Sequence, residues 1–128
     1  MMKKWAIKYG LALMGIIILS VPVFGTTYMV NPEGTGDFPN IQAAINATVD
    51  GDTVQLTDGV FTGEGNKNIS YLGKAITVCS QSGNPDACII DPEGVMGQKN
   101  IGFDFHSQET SEAVLRDLTI RNGVAGAS

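Results

Sequence analysis

Apolar and polar residues alternate in short bursts along most of this chain. "TVQL" sets Val54 and Leu56 against Thr53 and Gln55, and "AITVCS" repeats the pattern with Ile76 and Val78. "GFDFHS" places Phe103 and Phe105 on one side and Asp104 and His106 on the other. "DLTIRNG" does the same with Leu118 and Ile120 against Thr119 and Arg121. Shorter apolar pieces lie between them at Val60-Phe61, Ile89-Ile90 and Val114-Leu115, and "TTYMV" (residues 26–30) opens the series. Every burst is bounded by Gly, Asn, Asp or Ser, the residues that turn a chain. The pattern predicts many short strands, each with one buried face.

One segment breaks the alternation. In "FPNIQAAINAT" the apolar residues Phe38, Ile41, Ala44 and Ile45 recur at helical spacing, with Gln42 and Asn46 opposite. Asn40 is placed to cap this helix and Asp50-Gly51 to end it. A helix this short needs a surface to cover.

Strands of this length cannot build a sandwich of ordinary size, but they can form the walls of a solenoid. Val54 to Ile76 spans 22 residues and Gly102 to Gly123 spans 21. A period in the low twenties with several strands per period predicts a parallel β-helix of two to three coils, with the helix as its N-terminal cap. The stretches "SQSGNPDA" and "PEGVMGQKN" read as extra residues at turns.

Charge and composition then narrow the function. Residues 1–25, "MMKKWAIKYGLALMGIIILSVPVFG", have the basic start, apolar middle and small residues (Val23, Gly25) of a secretory signal. Its removal takes three lysines and no acid, leaving five basic and thirteen acidic residues, a net charge of −8. So acidic a chain repels nucleic acid and anionic lipid. The expected location is secreted or cell-surface, outside the cytoplasm. There Cys79 and Cys88, ten residues inclusive in "CSQSGNPDAC", are expected to form a disulfide, two separately buried thiols being the alternative. Acids at Asp91, Glu93, Asp104 and Asp117 could stack on adjacent coils and hold Ca²⁺, although no pre-assembled calcium-loop spacing is present. Asp104, Asp117 and Arg121 are the candidate contacts for calcium or for an acidic sugar, Arg121 by bidentate pairing. Phe61 is expected in the core, while Tyr28 and Tyr71 are candidate platforms for sugar rings.

The motifs "GDF…IQAAIN", "GDTVQL", "GKAITV" and "LTIRNG" together resemble the N-terminal part of secreted bacterial right-handed parallel β-helix proteins of the pectin-lyase-like superfamily. The resemblance runs over about residues 28–123. It implies an all-β, right-handed fold. The superfamily holds pectate and pectin lyases, pectin methylesterases, polygalacturonases and non-catalytic surface proteins, and its catalytic residues lie on central coils. No position here matches those catalytic motifs, so no catalytic residue is carried over. The expectation is an exported scaffold that contacts polysaccharide or mediates surface adhesion. The alternative is the front part of a polysaccharide lyase or pectin methylesterase whose catalytic coils lie downstream. The closing "DLTIRNGVAGAS" completes a strand and begins a turn at Asn122-Gly123 toward a coil that does not follow. It reads as a break inside a solenoid, with an exposed last coil prone to self-association.

Overall fold

The computed structural model describes residues 24–126. Most of the leader expected at residues 1–25 therefore lies outside the described residues. Nine short strands and one helix follow. They are β1 (Thr27–Val30), α1 (Ile41–Ala47), β2 (Thr53–Leu56), β3 (Gly59–Phe61), β4 (Ile69–Ser70), β5 (Thr77–Ser80), β6 (Cys88–Ile90), β7 (Phe103–Asp104), β8 (Val114–Arg116) and β9 (Thr119–Ile120). All named strand pairs are parallel, in three sheets ordered β1-β2-β5-β8, β3-β6-β9 and β4-β7. The chain thus visits the first, second and third sheets in turn and returns to the first. The fold is all-β and parallel, as the alternation predicts. Among the described residues, no helix is long and apolar enough to cross a membrane.

Alternation fills the interior in columns. Val54 sits beside Val78, which sits beside Leu115, and Phe61, Ile90 and Ile120 form a second column. Each side chain is buried by its neighbours one circuit above and below, so burial depends on position in the stack. Phe61 and Ile90 are fully buried, yet Ile120, in the last rung of the same column, is 43% exposed. Leu118, expected inside, is only half-buried for the same reason.

The register corrects the expected period. Val54 pairs with Val78, not Ile76, an offset of 24 residues, and Val78 pairs with Leu115, an offset of 37. The segments near Gly102 and Gly123 are not equivalents at all. β7 pairs with β4, and β9 pairs with β6 in another sheet. Corners of unequal length defeat a spacing argument. Many of them turn through left-handed backbone, at Asn68, Leu72, Glu93, Asp117 and Asn122 among others. The turn expected at Asn122-Gly123 has its positive φ at Asn122. Beyond it Val124 bridges antiparallel to Asn100.

The helix starts where the sequence places it. Asn40 Oδ1 accepts from the Ala43 amide at 2.8 Å, and Asn66 Oδ1 accepts from Ile41 N–H at 3.0 Å. Gly65 lies against this cap at φ +82°, and a Cβ there would fall 2.2 Å from the Asn40 side chain. At the other end Lys74 Nζ donates to the carbonyls of Ile45 (2.7 Å) and Thr48 (2.7 Å), satisfying the last turn. Ile41, Ala44 and Ile45 are fully buried over β1, β2 and β4. The two isoleucines alone contribute about 3–6 kcal/mol of burial. The helix therefore closes the top of the stack.

Two side chains close strand edges at that same end. Asp37 Oδ2 accepts from Met29 N–H at 2.7 Å, and Asp37 N–H donates to the Met29 carbonyl at 2.8 Å. Both outward groups of β1 at Met29 are thus satisfied. The Gln42 amide does the same for β4. Its Oε1 accepts from Ser70 N–H at 2.9 Å, and its Nε2 donates to the Ser70 carbonyl at 3.1 Å. Exposed edges invite pairing with other chains, and these two contacts blunt that hazard.

Candidate functional site

The three expected contact residues fall in different places. Asp104 lies in β7, where it pairs with Ser70; Ile69 and Phe103, the preceding pair, point inward, so Ser70 and Asp104 point outward. Lys99 Nζ lies 2.6 Å from Asp104 Oδ2, and His106 Nδ1 lies 3.1 Å from Asp104 Oδ1. The Lys99 hydrogen bond is the main cause that holds the Asp104 carboxyl below its ordinary range. Asp117 turns the corner between β8 and β9 at φ +61° and pairs with its neighbour Arg116. Arg121 follows β9, and its Nε lies 3.2 Å from Asp91 Oδ2. Asp104 and Asp117 therefore lie on different elements, each with its own basic partner.

Asp91 and Arg121 lie 30 residues apart, the same offset that sets Ile90 beside Ile120. Asn122 Nδ2 also donates to Asp91 Oδ2 at 2.9 Å, and Glu93 N–H donates to Asp91 Oδ1 at 3.0 Å. These bonds, the Glu93 amide first, lower the Asp91 carboxyl below its ordinary range. The group is a clip between circuits. No sequence signal short of the true register could have found this pairing. Glu109 is a similar clip. Burial alone would raise its carboxyl, but backbone N–H groups, those of Gly73 and Ser107 among them, outweigh it and the net shift is downward.

Each candidate acid thus already has partners. Among the described residues, no group of three or more His, Cys, Asp or Glu side chains is placed to hold a metal ion. The stacked acids expected at Asp91, Glu93, Asp104 and Asp117 do not converge.

The cysteines depart from the expected disulfide. Both are free thiols and both are buried. Alternation sets the direction of each. Cys79 follows the interior Val78 on β5, so it points to the opposite face, in register with Gln55 and Arg116. Cys88 shares a face with Ile90 and belongs to the core. Burial pushes the Cys88 thiol up to about 11.

The aromatic residues also redistribute. Phe61 is in the core as expected, but Tyr71 is fully buried as well, its hydroxyl donating to the Val114 carbonyl at 2.6 Å. Tyr28 is half-buried and meets Phe38 edge-on at 5.3 Å. Phe105, expected inside, is 48% exposed. β7 ends at Asp104, so Phe105 leaves the strand and leans on Tyr71 (4.8 Å) and Phe103 (6.4 Å). The half-open Phe105 ring, next in sequence to the paired Asp104 and His106, is the best candidate site in the described residues.

Comparison with protein-family models, with curated proteins and with solved structures finds no match for this chain. The site must be read from its own chemistry. A ring held by two aromatics offers a fixed apolar face, and its sequence neighbours Asp104 and His106, with Lys99, supply donors and acceptors on the outward side of the chain. That combination suits a ligand with both a flat apolar patch and hydroxyls.

Proposed function

We propose that this chain forms a capped right-handed parallel β-helix of the pectin-lyase-like kind, exported and non-catalytic, which serves as a scaffold and contacts polysaccharide through the face at Phe105. The observation that carries the reading is the half-exposed Phe105 ring braced by Tyr71 and Phe103. Sugar rings present hydrogen-bearing faces that stack on aromatics and hydroxyls that bond to charged side chains. The net charge of −8 left after removal of residues 1–25 favours a neutral or esterified polymer over a polyanion. The sequential visits to three parallel sheets support the β-helix, and the family motifs support its right-handed form.

Electrophoresis through gels containing methyl-esterified pectin or a neutral glucan tests the contact. Retardation by either polymer that is lost in Phe105→Ala is the expected result. Equal mobility with and without both polymers refutes the polysaccharide reading. Incubation with polygalacturonate or its methyl ester should give neither ultraviolet-absorbing unsaturated product nor methanol. Either product would make the chain an enzyme.

A further inference from the structure

We propose that export cuts the chain between Gly25 and Thr26, and that the new α-ammonium of Thr26 docks on the buried Asp52 carboxylate. The inference rests on the export reading above, in which Val23 and Gly25 are the small residues of a leader's cleavage site. The receiving end is already built. Thr26 N–H donates to Asp52 Oδ1 at 2.7 Å, and the Thr26 carbonyl accepts from Thr53 N–H at 2.8 Å. Asp52 Oδ2 accepts from Val49 N–H at 2.9 Å, just after α1. One carboxylate thus ties the start of β1 to the segment that leads from α1 into β2. Asp52 is only 4% exposed, and none of the ion pairs among the described residues includes it. It has its hydrogen bonds but no counter-charge, a costly state for a buried anion.

Hydrolysis supplies that charge in place. Water adds across the amide in the active site of a leader-removing endopeptidase of the exporting cell. The Gly25–Thr26 C–N bond breaks. The water oxygen departs on the leader as part of the Gly25 carboxylate, and both water protons end on the Thr26 nitrogen. A neutral N–H facing Asp52 becomes –NH₃⁺ at the same position, and the hydrogen bond becomes charge-assisted. Gly25 marks the same junction from its other side. A Cβ at residue 25 would fall 1.7 Å from the Gly51 carbonyl oxygen, a backbone atom that cannot swing aside. Residue 25 is therefore restricted to glycine while it stays attached to the folded chain. The restriction ends when the leader goes.

The test uses the full chain, exported from a bacterial host. Mass spectrometry should find a product that begins at Thr26. Gly25→Ala keeps a small residue at the cut and should give a product of the same mass and the same urea midpoint. A lower midpoint means that residue 25 stays against Gly51, and it overturns the proposal. One glycine inserted between Gly25 and Thr26, and retained after the cut, moves the ammonium about 3.8 Å along the chain and leaves Thr26 a neutral donor. Asp52→Asn should raise the unfolding constant roughly ten-fold more in the Thr26 product than in the glycine-extended one. Acylation of the α-amine near neutral pH needs no Asp52 variant. It should run roughly ten-fold slower in the Thr26 product, because the docked amine stays protonated. Equal acylation rates, or equal effects of Asp52→Asn, overturn the docking and leave the export reading intact. A product cut at another bond does the same, whereas one that keeps its leader overturns the export reading as well.

Discussion

The Gln42 amide is the most exacting test of how this stack begins. It makes two hydrogen bonds to one residue, accepting from Ser70 N–H and donating to the Ser70 carbonyl. Each bond contributes about 0.5–1.5 kcal/mol net, so their joint loss costs about 1–3 kcal/mol. Gln42→Ala gains back a few tenths of a kcal/mol, roughly, through helix propensity. The expected net loss is then about 1–2.5 kcal/mol by urea denaturation, with the Ser70 amide exchanging much faster in native-state hydrogen exchange. Gln42→Glu sharpens the test. An ionised carboxylate keeps the acceptor but sets a negative oxygen against the Ser70 carbonyl, where only a donor belongs. The protonated acid can donate, so the folded state raises the pKa of this carboxyl above the ordinary value of about 4.3. The protonated form's stabilising contribution is fully present below that value and is lost as pH rises through the raised one. The gap between Gln42→Glu and the parent should therefore be wide at pH 7 and narrow toward pH 4. A loss under about 0.5 kcal/mol for Gln42→Ala, with unchanged Ser70 exchange, would sink the edge-cap argument.

Three further outcomes follow from the geometry. Ile90→Ala should cost about 2–5 kcal/mol, whereas Ile120→Ala, one rung on in the same column, should cost less than half as much; equal losses in chemical denaturation would mean that the last rung is covered. The Asp91 and Asp104 carboxyls are held low, so their contribution to stability is whole above about pH 4 and fades as pH falls through the depressed folded values. Asp91→Asn should flatten that acid limb in a pH series of thermal melts, and an unchanged limb would remove the Asp91 clip from the account. Cys79 and Cys88 should resist alkylation in the native protein and both react in urea, because burial and a raised pKa suppress the thiolate; no reactive thiol in urea would show instead that the pair had been oxidised.

How much of this was legible beforehand depends on what each residue reports. "TVQL" announces both its strand and its inward face, and Val54 and Leu56 are fully buried. The helix is legible through Asn40 and the Ile41–Ile45 spacing. Alternation, however, gives only the direction of a side chain. It does not say whether another rung lies above it, and so Ile120 points inward and still meets solvent. Nor does it say where a strand stops, so it sets Phe105 inside although the ring is 48% exposed. Spacing failed because it measures corners as well as strands. Gly102 and Gly123 are spaced like repeats, but the strands beside them, β7 and β9, belong to different sheets. The ion pairs suffered most, since Asp91 finds Arg121 only through a register that sequence does not display. Gln42, placed on the polar face of its helix, gave no hint that its amide would serve as a missing strand.

The unequal corners have a consequence for how such a chain can vary. Thr53 to Thr77 takes 24 residues, while Thr77 to Val114 takes 37, yet both steps advance the first sheet by one strand at unbroken register. The strands therefore act as fixed rulings, and the loops between them as margins that can be written on freely. A foreign peptide inserted near Gly97, where the backbone already turns at φ +89° in open space, should be displayed without disturbing the rulings on either side. That makes the second circuit a natural site for epitope display, and for the appearance of new surface recognition by insertion alone.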